Sequence, residues 1–454
     1  MRRASVGLAL GLAIVVALGG WALFPQVAGD PPGDTGAPSP AREQPRDAVP
    51  PDLVATPRLD PTRQTLAYGV MGWESNKISP EGTLEPGRLS ESDLSRMAAD
   101  GVGYLRVPLR PSEQFADGDW ITHYDGLIRS AARRGVAVLP WLEGGLSGPA
   151  ADQTSTANPP NSAPELRRFE ETARLAAARW GPEGSLWREL GCPGPDCDDA
   201  YLPIRAWEVW NEPNNSRFWR SRVTENGTGG ADPEEYAAAL VAARSGFRRA
   251  DPEARVVSAG LANRKITRAG PDRGQGIEML EFQERLQESA GGCALDAAAM
   301  HFYDSAGSPQ ELRERARDFR VRVDAGGATG APLWITELGA ASFSRDGRST
   351  PAKQAEFIAE SLDLLRADRA RLELGPVFAF MWKDNAEQRD LAGRPAGDRA
   401  GDTYNRNAGL HDYRGALDGW PATRKPALAA FTRRARRQQP LPLPPVRHCP
   451  GERR

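Results

Sequence analysis

The chain is poor in the residues that most often carry metal, redox or nucleic-acid chemistry. It holds four histidines and four cysteines in 454 residues. The histidines are scattered and no His-x-His pair ends an apolar run, which argues against a metal-dependent hydrolase. The cysteines lack zinc-ligand spacing, so no metal is expected. The formal net charge is −2, with Lys and Arg spread in mixed-sign patterns. No basic face for nucleic acid follows from that distribution. No Gly-rich phosphate turn follows the first apolar run, which disfavours a dinucleotide-binding open sheet, and no cofactor is expected.

The N-terminus has its own character. Arg2 and Arg3 precede an uncharged run from Val6 to Phe24, about the length that spans a bilayer. A basic start before an apolar stretch is the layout of an export signal. Val27-Ala28-Gly29 offers small residues for cleavage, and residues 1–29 read equally as a cleaved signal peptide or a retained single membrane anchor. Either way the remainder is expected outside the cytoplasm, secreted or at the cell surface. Residues 30–62, rich in Pro, Gly, Ala and Asp without apolar periodicity, read as an extended linker. Residues 63–439 hold the folded domain, and 440–454 form a Pro- and Arg-rich tail without catalytic signal.

Four cysteines in an exported chain imply two disulfides, for which three connectivities exist. Cys192 and Cys197 flank a Pro-Gly-Pro turn, which favours a local bridge and leaves Cys293 to pair with Cys449. Four free thiols are the alternative.

From residue 64 onward, short β-rich runs alternate with helical runs whose apolar residues recur at three- and four-residue spacing. The strands are expected over 64–73, 102–110, 136–144, 204–214, 254–263, 295–304, 331–339 and 375–385. Ser90 with Asp93, Asp232-Pro233 and Thr350-Pro351 are arranged as helix caps. Eight β/α units predict a closed (β/α)8 TIM barrel of the α/β class, with a doubly wound open sheet as the competing architecture. In a barrel, the cysteines fall at the end opposite the strand C-termini. Two long loops follow strand ends: Asn215 to Ala231, with Phe218 and Trp219, and Asn385 to Trp420, with Tyr404, Asn405, His411 and Tyr413. Loops in that position shape substrate sites.

Two strands end in a carboxylate. The run IRAWEVWNEPN (204–214) closes on Asn211, Glu212 and Pro213, and Pro213 cannot continue a sheet ladder. The run APLWITELG (331–339) closes on Glu337 and a turn-permitting glycine. The two glutamates are 125 residues apart in sequence, and barrel closure would bring them face to face. Glycoside hydrolysis needs such a pair, one carboxyl protonated to assist the leaving oxygen and one ionised to meet the anomeric carbon.

The pairing of WNEPN with WITELG resembles the signatures of clan A of the retaining glycoside hydrolases, over roughly residues 64 to 436. That resemblance implies Glu212 as acid/base and Glu337 as nucleophile, with carboxyl groups ~5–5.5 Å apart. It further implies that Asn211 bonds the sugar 2-hydroxyl, that Arg106 supports the nucleophile, and that Tyr303, accompanied by His301, donates to it. Trp382 matches the aromatic floor beneath the reacting sugar. EVWNEPN and HFY are most similar to glycoside hydrolase family thirty-nine. The chain has no room for the β-sandwich of the xylosidase-like members, and LPWLEGG lacks the strand-three His of family five. The expected substrate is an extracellular or cell-envelope polysaccharide or oligosaccharide.

Other residues carry plainer readings. Glu208 alternates into the barrel and is expected to be a hydrogen-bonded lining residue. Trp207 and Trp210 are expected in packing, and His123 and His448 at the surface. Trp141 and Glu143 fit either a subsite or rim structure. The alternative to an enzyme is a non-catalytic carbohydrate-binding barrel tethered to the envelope, stacking sugars on Trp219 and Trp382.

Overall fold

The computed structural model describes residues 67–72, 76–78, 84–86, 89, 91–110, 120–143, 159–197, 199–216, 218–221, 229–263, 276–344, 347–384, 407–412, 423–435 and 443–448. The signal or anchor, the linker, Ser90, Tyr404, Asn405, Tyr413 and Cys449 lie outside them, as does the side chain of His123. Among the described residues no helix is long and apolar enough to cross a membrane.

All eight β-rich runs form strands: β1 (Tyr68–Met71), β2 (Tyr104–Leu109), β3 (Ala137–Leu142), β4 (Ala206–Val209), β5 (Arg255–Ser258), β6 (Ala298–Tyr303), β7 (Leu333–Gly339) and β8 (Leu374–Ala379). They pair in parallel in the order β5-β4-β3-β2-β1-β8-β7-β6. Parallel bridges Val257–Ala297 and Leu261–Met300 join β5 to β6. The fold is thus the expected (β/α)8 barrel rather than an open sheet.

Each strand leads to a helix: α1 (Glu91–Ala99), α2 (Trp120–Ala132), α3 (Ala163–Trp180), α4 (Pro233–Ala250), α5 (Met279–Glu288), α6 (Pro309–Ala325), α7 (Pro351–Ala367) and α8 (Pro426–Ala435). The capping residues act as their chemistry dictates. Asp232 accepts from the N–H groups of Glu234 and Glu235, and Thr350 accepts from Lys353, each ahead of a proline in the first turn.

Inward-facing side chains form layers. Toward the strand N-termini, Tyr104, Trp334 and Phe378 fill the barrel with small neighbours such as Ala206 and Ala299. Their rings lie 5.8–6.5 Å apart. Above them is a polar layer, and above that an apolar mouth of Met71, Trp141, Tyr303, Phe380 and Met381. Trp207 and Trp210 point outward into the helix layer and are fully buried, Trp207 stacking on Phe247 at 4.7 Å.

The opposite end is stapled. Cys192 and Cys197 form the local bridge, in the connection between α3 and β4. Cys293, between α5 and β6, is also disulfide-bonded. The tail does more than its composition suggests. Leu443 packs against the lower barrel layer, the Arg447 N–H donates to Asp296, and Arg244 and Arg248 donate to the Arg447 carbonyl. His448 is exposed.

Closing a loop as short as that between Cys192 and Cys197 contributes about 2 kcal/mol by chain entropy. The double variant C192S/C197S should therefore lower the thermal midpoint by a few degrees. Turnover at the opposite rim should stay within about twofold, because distant sites act independently. A large loss of turnover with an unchanged midpoint would contradict this placement.

Candidate active site

The polar layer is built around Arg106, which β2 sends into the barrel with no solvent exposure. Its Nε donates to Glu208 Oε2 at 2.5 Å and its Nη2 to Glu208 Oε1 at 2.9 Å. Nη2 also donates to Asn211 Oδ1 at 3.0 Å, and Nη1 to Glu337 Oε1 at 2.7 Å. The guanidinium carbon lies 4.2 Å from the centre of the Trp141 ring, a cation–π contact. Burial alone would lower the arginine pKa, but the adjacent carboxylates of Glu208 and Glu337 outweigh it and hold it above its ordinary value.

Glu337 reaches this layer through an irregularity in β7. Met300 pairs with Ile335 but His301 pairs with Glu337, so Thr336 is an extra residue in the strand. Such a bulge lets two consecutive residues face the same side. Thr336 and Glu337 both point inward as a result. Tyr303 donates its hydroxyl to Glu337 Oε2, so both Glu337 carboxyl oxygens are held by donors.

Glu212 sits just past β4, where the chain turns sharply. Trp210 and Glu212 both have left-handed backbone, with φ of 72° and 46°, a conformation that costs on the order of 1–3 kcal/mol for such residues. The turn is held from both sides. Trp210 N–H donates to Leu142 O at 2.8 Å, and Glu212 N–H to Gly260 O at 3.2 Å. Asn215 Nδ2 donates to Glu212 Oε2 at 3.2 Å. Asn214 ties this loop to the one after β5 through Ala262 and Ile277.

His301 stands between the two glutamates. Its Nδ1 lies 3.1 Å from Glu212 Oε1 and 3.3 Å from Glu337 Oε2, and its Nε2 lies 3.1 Å from Thr336 Oγ1. Thr336 in turn donates to Glu208 Oε1 at 3.1 Å. One donor atom from each of Glu212, His301 and Glu337 falls within 4.8 Å of the others. That spacing could admit a cation, but Arg106 already supplies the positive charge beside Glu337, so the trio is better suited to acid–base work. Glu212 and Glu337 are each 4% exposed.

The structure thus brings together Arg106, Asn211, Glu212, His301, Tyr303 and Glu337. Two expected contacts are placed elsewhere. Trp219 is fully buried among Trp210 and Tyr236, with ring centres at 5.1 and 5.5 Å, and its Nε1 donates to Glu235. It is a core residue, packed against Tyr236 and Glu235 of α4 instead of standing over the rim. Trp382 is 1% exposed, lies against His411 at 4.4 Å and donates to Asp93. The flat platform expected of it is not offered as an open face. Asp93, read as part of a cap, also pairs with Lys383 at 3.0 Å.

Trp141 serves the rim by facing Arg106, and Glu143 pairs with Arg110. Among the described residues, Trp141 Nε1 and Glu143 Oε2 are buried without a hydrogen-bond partner, which leaves a donor and an acceptor for something that enters. Thr336, Gly260 and Asn215 carry no motif that sequence reasoning picks out. Gly260 is required by contact, since a Cβ there would fall 2.0 Å from His301 Nε2 and 2.4 Å from Thr336 Oγ1.

Residues 209–383 match the family model described as the glycosyl hydrolase catalytic core. That span contains Glu212, His301, Tyr303 and Glu337. Among solved structures, the chain is similar to a glucosidase from Croceicoccus marinus (14% identity, 82% of this chain and 68% of that chain, TM-score 0.52). It is also similar to the β-glycosidase BGL167 (16% identity, 85% and 100%, TM-score 0.51). A third is a GH5_18 variant from Bifidobacterium longum subsp. longum in complex with Manβ1-4GlcNAc (15% identity, 83% and 79%, TM-score 0.51). At such identities the likeness establishes the shared barrel fold. Among curated proteins, no sequence matches this chain.

Removing Arg106 should cost the fold as well as the site. Arg106→Leu leaves Glu208 and Glu337 buried without their counter-charge, a loss of about 3–5 kcal/mol, measurable by urea unfolding. A change below about 1 kcal/mol, the range of an exposed ion pair, would show that Arg106 does not hold this layer together.

Proposed function

We propose that this protein is a retaining O-glycosidase, exported by its N-terminal segment, that cleaves an extracellular or cell-envelope polysaccharide and is most similar to family thirty-nine. The observation that carries the reading is the asymmetric setting of two near carboxyls. Glu337 accepts from Arg106 at one oxygen and from Tyr303 at the other. Glu212 faces His301 through Oε1 and accepts from Asn215 at Oε2. One carboxylate is prepared to attack and the other to carry a proton, the division of labour that double displacement needs.

In the first step Glu337 attacks the anomeric carbon while Glu212 gives its proton to the leaving oxygen. In the second, Glu212 takes a proton from water, which attacks the same carbon and releases Glu337. The spacing within 4.8 Å suits the retaining arrangement, since inverting pairs stand ~6.5–9.5 Å apart to admit a water. Asn211 keeps its oxygen on Arg106, a group with donors only, so its amide N–H groups are the ones left for a sugar hydroxyl. Trp141 Nε1 and Glu143 Oε2, without partners among the described residues, supply a further donor and acceptor for the ring substituents. The binding-only alternative loses its stacking surfaces, because Trp219 and Trp382 are buried.

A panel of bacterial and plant polysaccharides, with products read by mass, tests the activity. Glu337→Gln should lower kcat by on the order of 10⁴-fold or more. Glu212→Gln should be severely slowed on native glycan but much less on an aryl glycoside whose leaving group needs no proton, with azide restoring turnover. Near-normal turnover by E337Q would refute the nucleophile assignment. Glycan binding without any reducing-end release would favour the binding module.

A further inference from the structure

The inner face of β3 carries a second polar device, set between the Arg106 layer and the rim. Strand alternation sends Leu139, Trp141 and Glu143 to the same side. Leu139 lies in the lower apolar layer and Trp141 in the mouth, where its ring faces the Arg106 guanidinium at 4.2 Å. The β2 neighbours keep the same parity, with Tyr104 in the lower layer, Arg106 above it and Arg110 beside Glu143. The ladder continues one residue past β3, since the Glu143 N–H donates to Leu109 O at 3.2 Å. Glu143 therefore faces the barrel mouth.

Arg110 engages one side of that carboxyl. Its Nε donates to Glu143 Oε1 at 2.6 Å, and its Nη2 donates to the same oxygen. Among the described residues Glu143 Oε2 has no hydrogen-bond partner, and neither has Trp141 Nε1. By contrast Glu208, the β4 neighbour of Trp141, accepts on both oxygens. Trp141 and Glu143 are each 1% exposed. A donor and an acceptor that deep are unfavourable until something meets them.

The two open atoms differ in kind. The indole nitrogen offers a hydrogen and accepts none, while Glu143 Oε2, in an ion pair with Arg110, offers lone pairs. A hydroxyl answers both from a single atom. An ammonium group only donates and would meet the indole N–H with hydrogens. A carboxylate, ester or ether oxygen only accepts and would meet Glu143 with lone pairs. The side chains leave the strand about 6.6 Å apart, two rises of ~3.3 Å, a span within reach of the hydroxyl edge of one sugar ring. Glu212 and Glu337 are themselves 4% exposed, so a group that meets Trp141 and Glu143 lies as deep as the ring being cut.

We infer, on the hydrolase reading above, that Trp141 and Glu143 are specificity-determining residues that read a free hydroxyl on the reacting sugar. The substrate class is then a neutral glycan unsubstituted at that position. Arg110 is a positioning residue, because by holding Oε1 it presents Oε2. A sugar with an amine, a carboxylate or an alkylated oxygen there is refused, since each sets a buried group against its like. The pair makes and breaks no bond, and acts by seating the ring between Glu212 and Glu337.

The test uses the full chain with 15N-labelled tryptophan, as wild type, Trp141→Phe and Glu143→Gln. Trp141→Phe keeps a ring face for Arg106 and removes the N–H, which also assigns the Trp141 indole signal. Glu143→Gln keeps an oxygen for Arg110, which has donors only, and so turns amide hydrogens to where Oε2 stood. The probes are D-glucose, D-galactose, D-mannose, D-xylose and L-arabinose, with the singly deoxygenated and singly O-methylated forms of each. In parallel, kcat/KM is measured on aryl glycosides of the same parent and deoxy sugars. A parent sugar should move the Trp141 indole signal, while one of its deoxy forms and the matching O-methyl form should not. That deoxygenation should cost wild type roughly 30-fold in kcat/KM and each variant under about threefold. Equal costs in all three chains, or an indole signal moved alike by parent and every deoxy form or by none of them, overturns the assignment. If E143Q fails to fold, W141F and the wild-type indole signal still decide. Selective movement of that signal without hydrolysis of any glycan leaves the assignment standing and sinks the hydrolase reading. Hydrolysis with equal costs does the reverse.

Discussion

A guanidinium buried on the barrel axis must be neutralised by groups that are themselves fixed, and in this protein Arg106 sets that requirement. It spans β2 to β4 through Glu208, β2 to β7 through Glu337, and reaches Asn211 beyond the end of β4. Burying one cation against two carboxylates is tolerable only when hydrogen bonds complete both partners. Glu208 gains the Gly260 N–H and the Thr336 hydroxyl, and Glu337 gains Tyr303. Satisfying Arg106 therefore positions Glu337, Asn211 just before Glu212, and the chain that ends at His301.

The same constraint explains the departures from regular backbone. A strictly alternating β7 could aim Thr336 or Glu337 inward but not both, and the polar layer uses both. The bulge supplies the extra residue. At β4, an extended continuation past Val209 would carry Glu212 away from His301, and the left-handed turn at Trp210 and Glu212 brings it back. Local backbone energy is spent where two acids must meet, while the lower barrel layer is filled by apolar side chains.

Much of this was legible in the residue order. Alternating β-branched and aromatic runs located all eight strands, and proline after Glu212 and glycine after Glu337 marked both rims. Glu208 read correctly as barrel lining, yet its importance as the anchor for Arg106 and Thr336 depends on contacts 102 and 128 residues away. Strict alternation from Glu337 would face Thr336 outward, because alternation hides a bulge. Gly260 resembles any glycine in an apolar run until the His301 ring is placed against it. Trp219 misled for a different reason. An indole in a rim loop is compatible with stacking on a sugar or with filling the gap above α4, and only the fold of that loop chooses the second.

The proposed double displacement requires Glu337 to form a covalent bond to the substrate's anomeric carbon. The direct measurement is mass mapping of peptides after incubation with an activated 2-deoxy-2-fluoro glycoside of whichever sugar the panel shows to be released. The fluorine slows both steps and the good leaving group restores the first, so the intermediate accumulates. A single glycosyl adduct on the peptide containing Glu337 is the predicted result. An adduct on Glu212, or steady turnover with inverted product and no adduct, would contradict it.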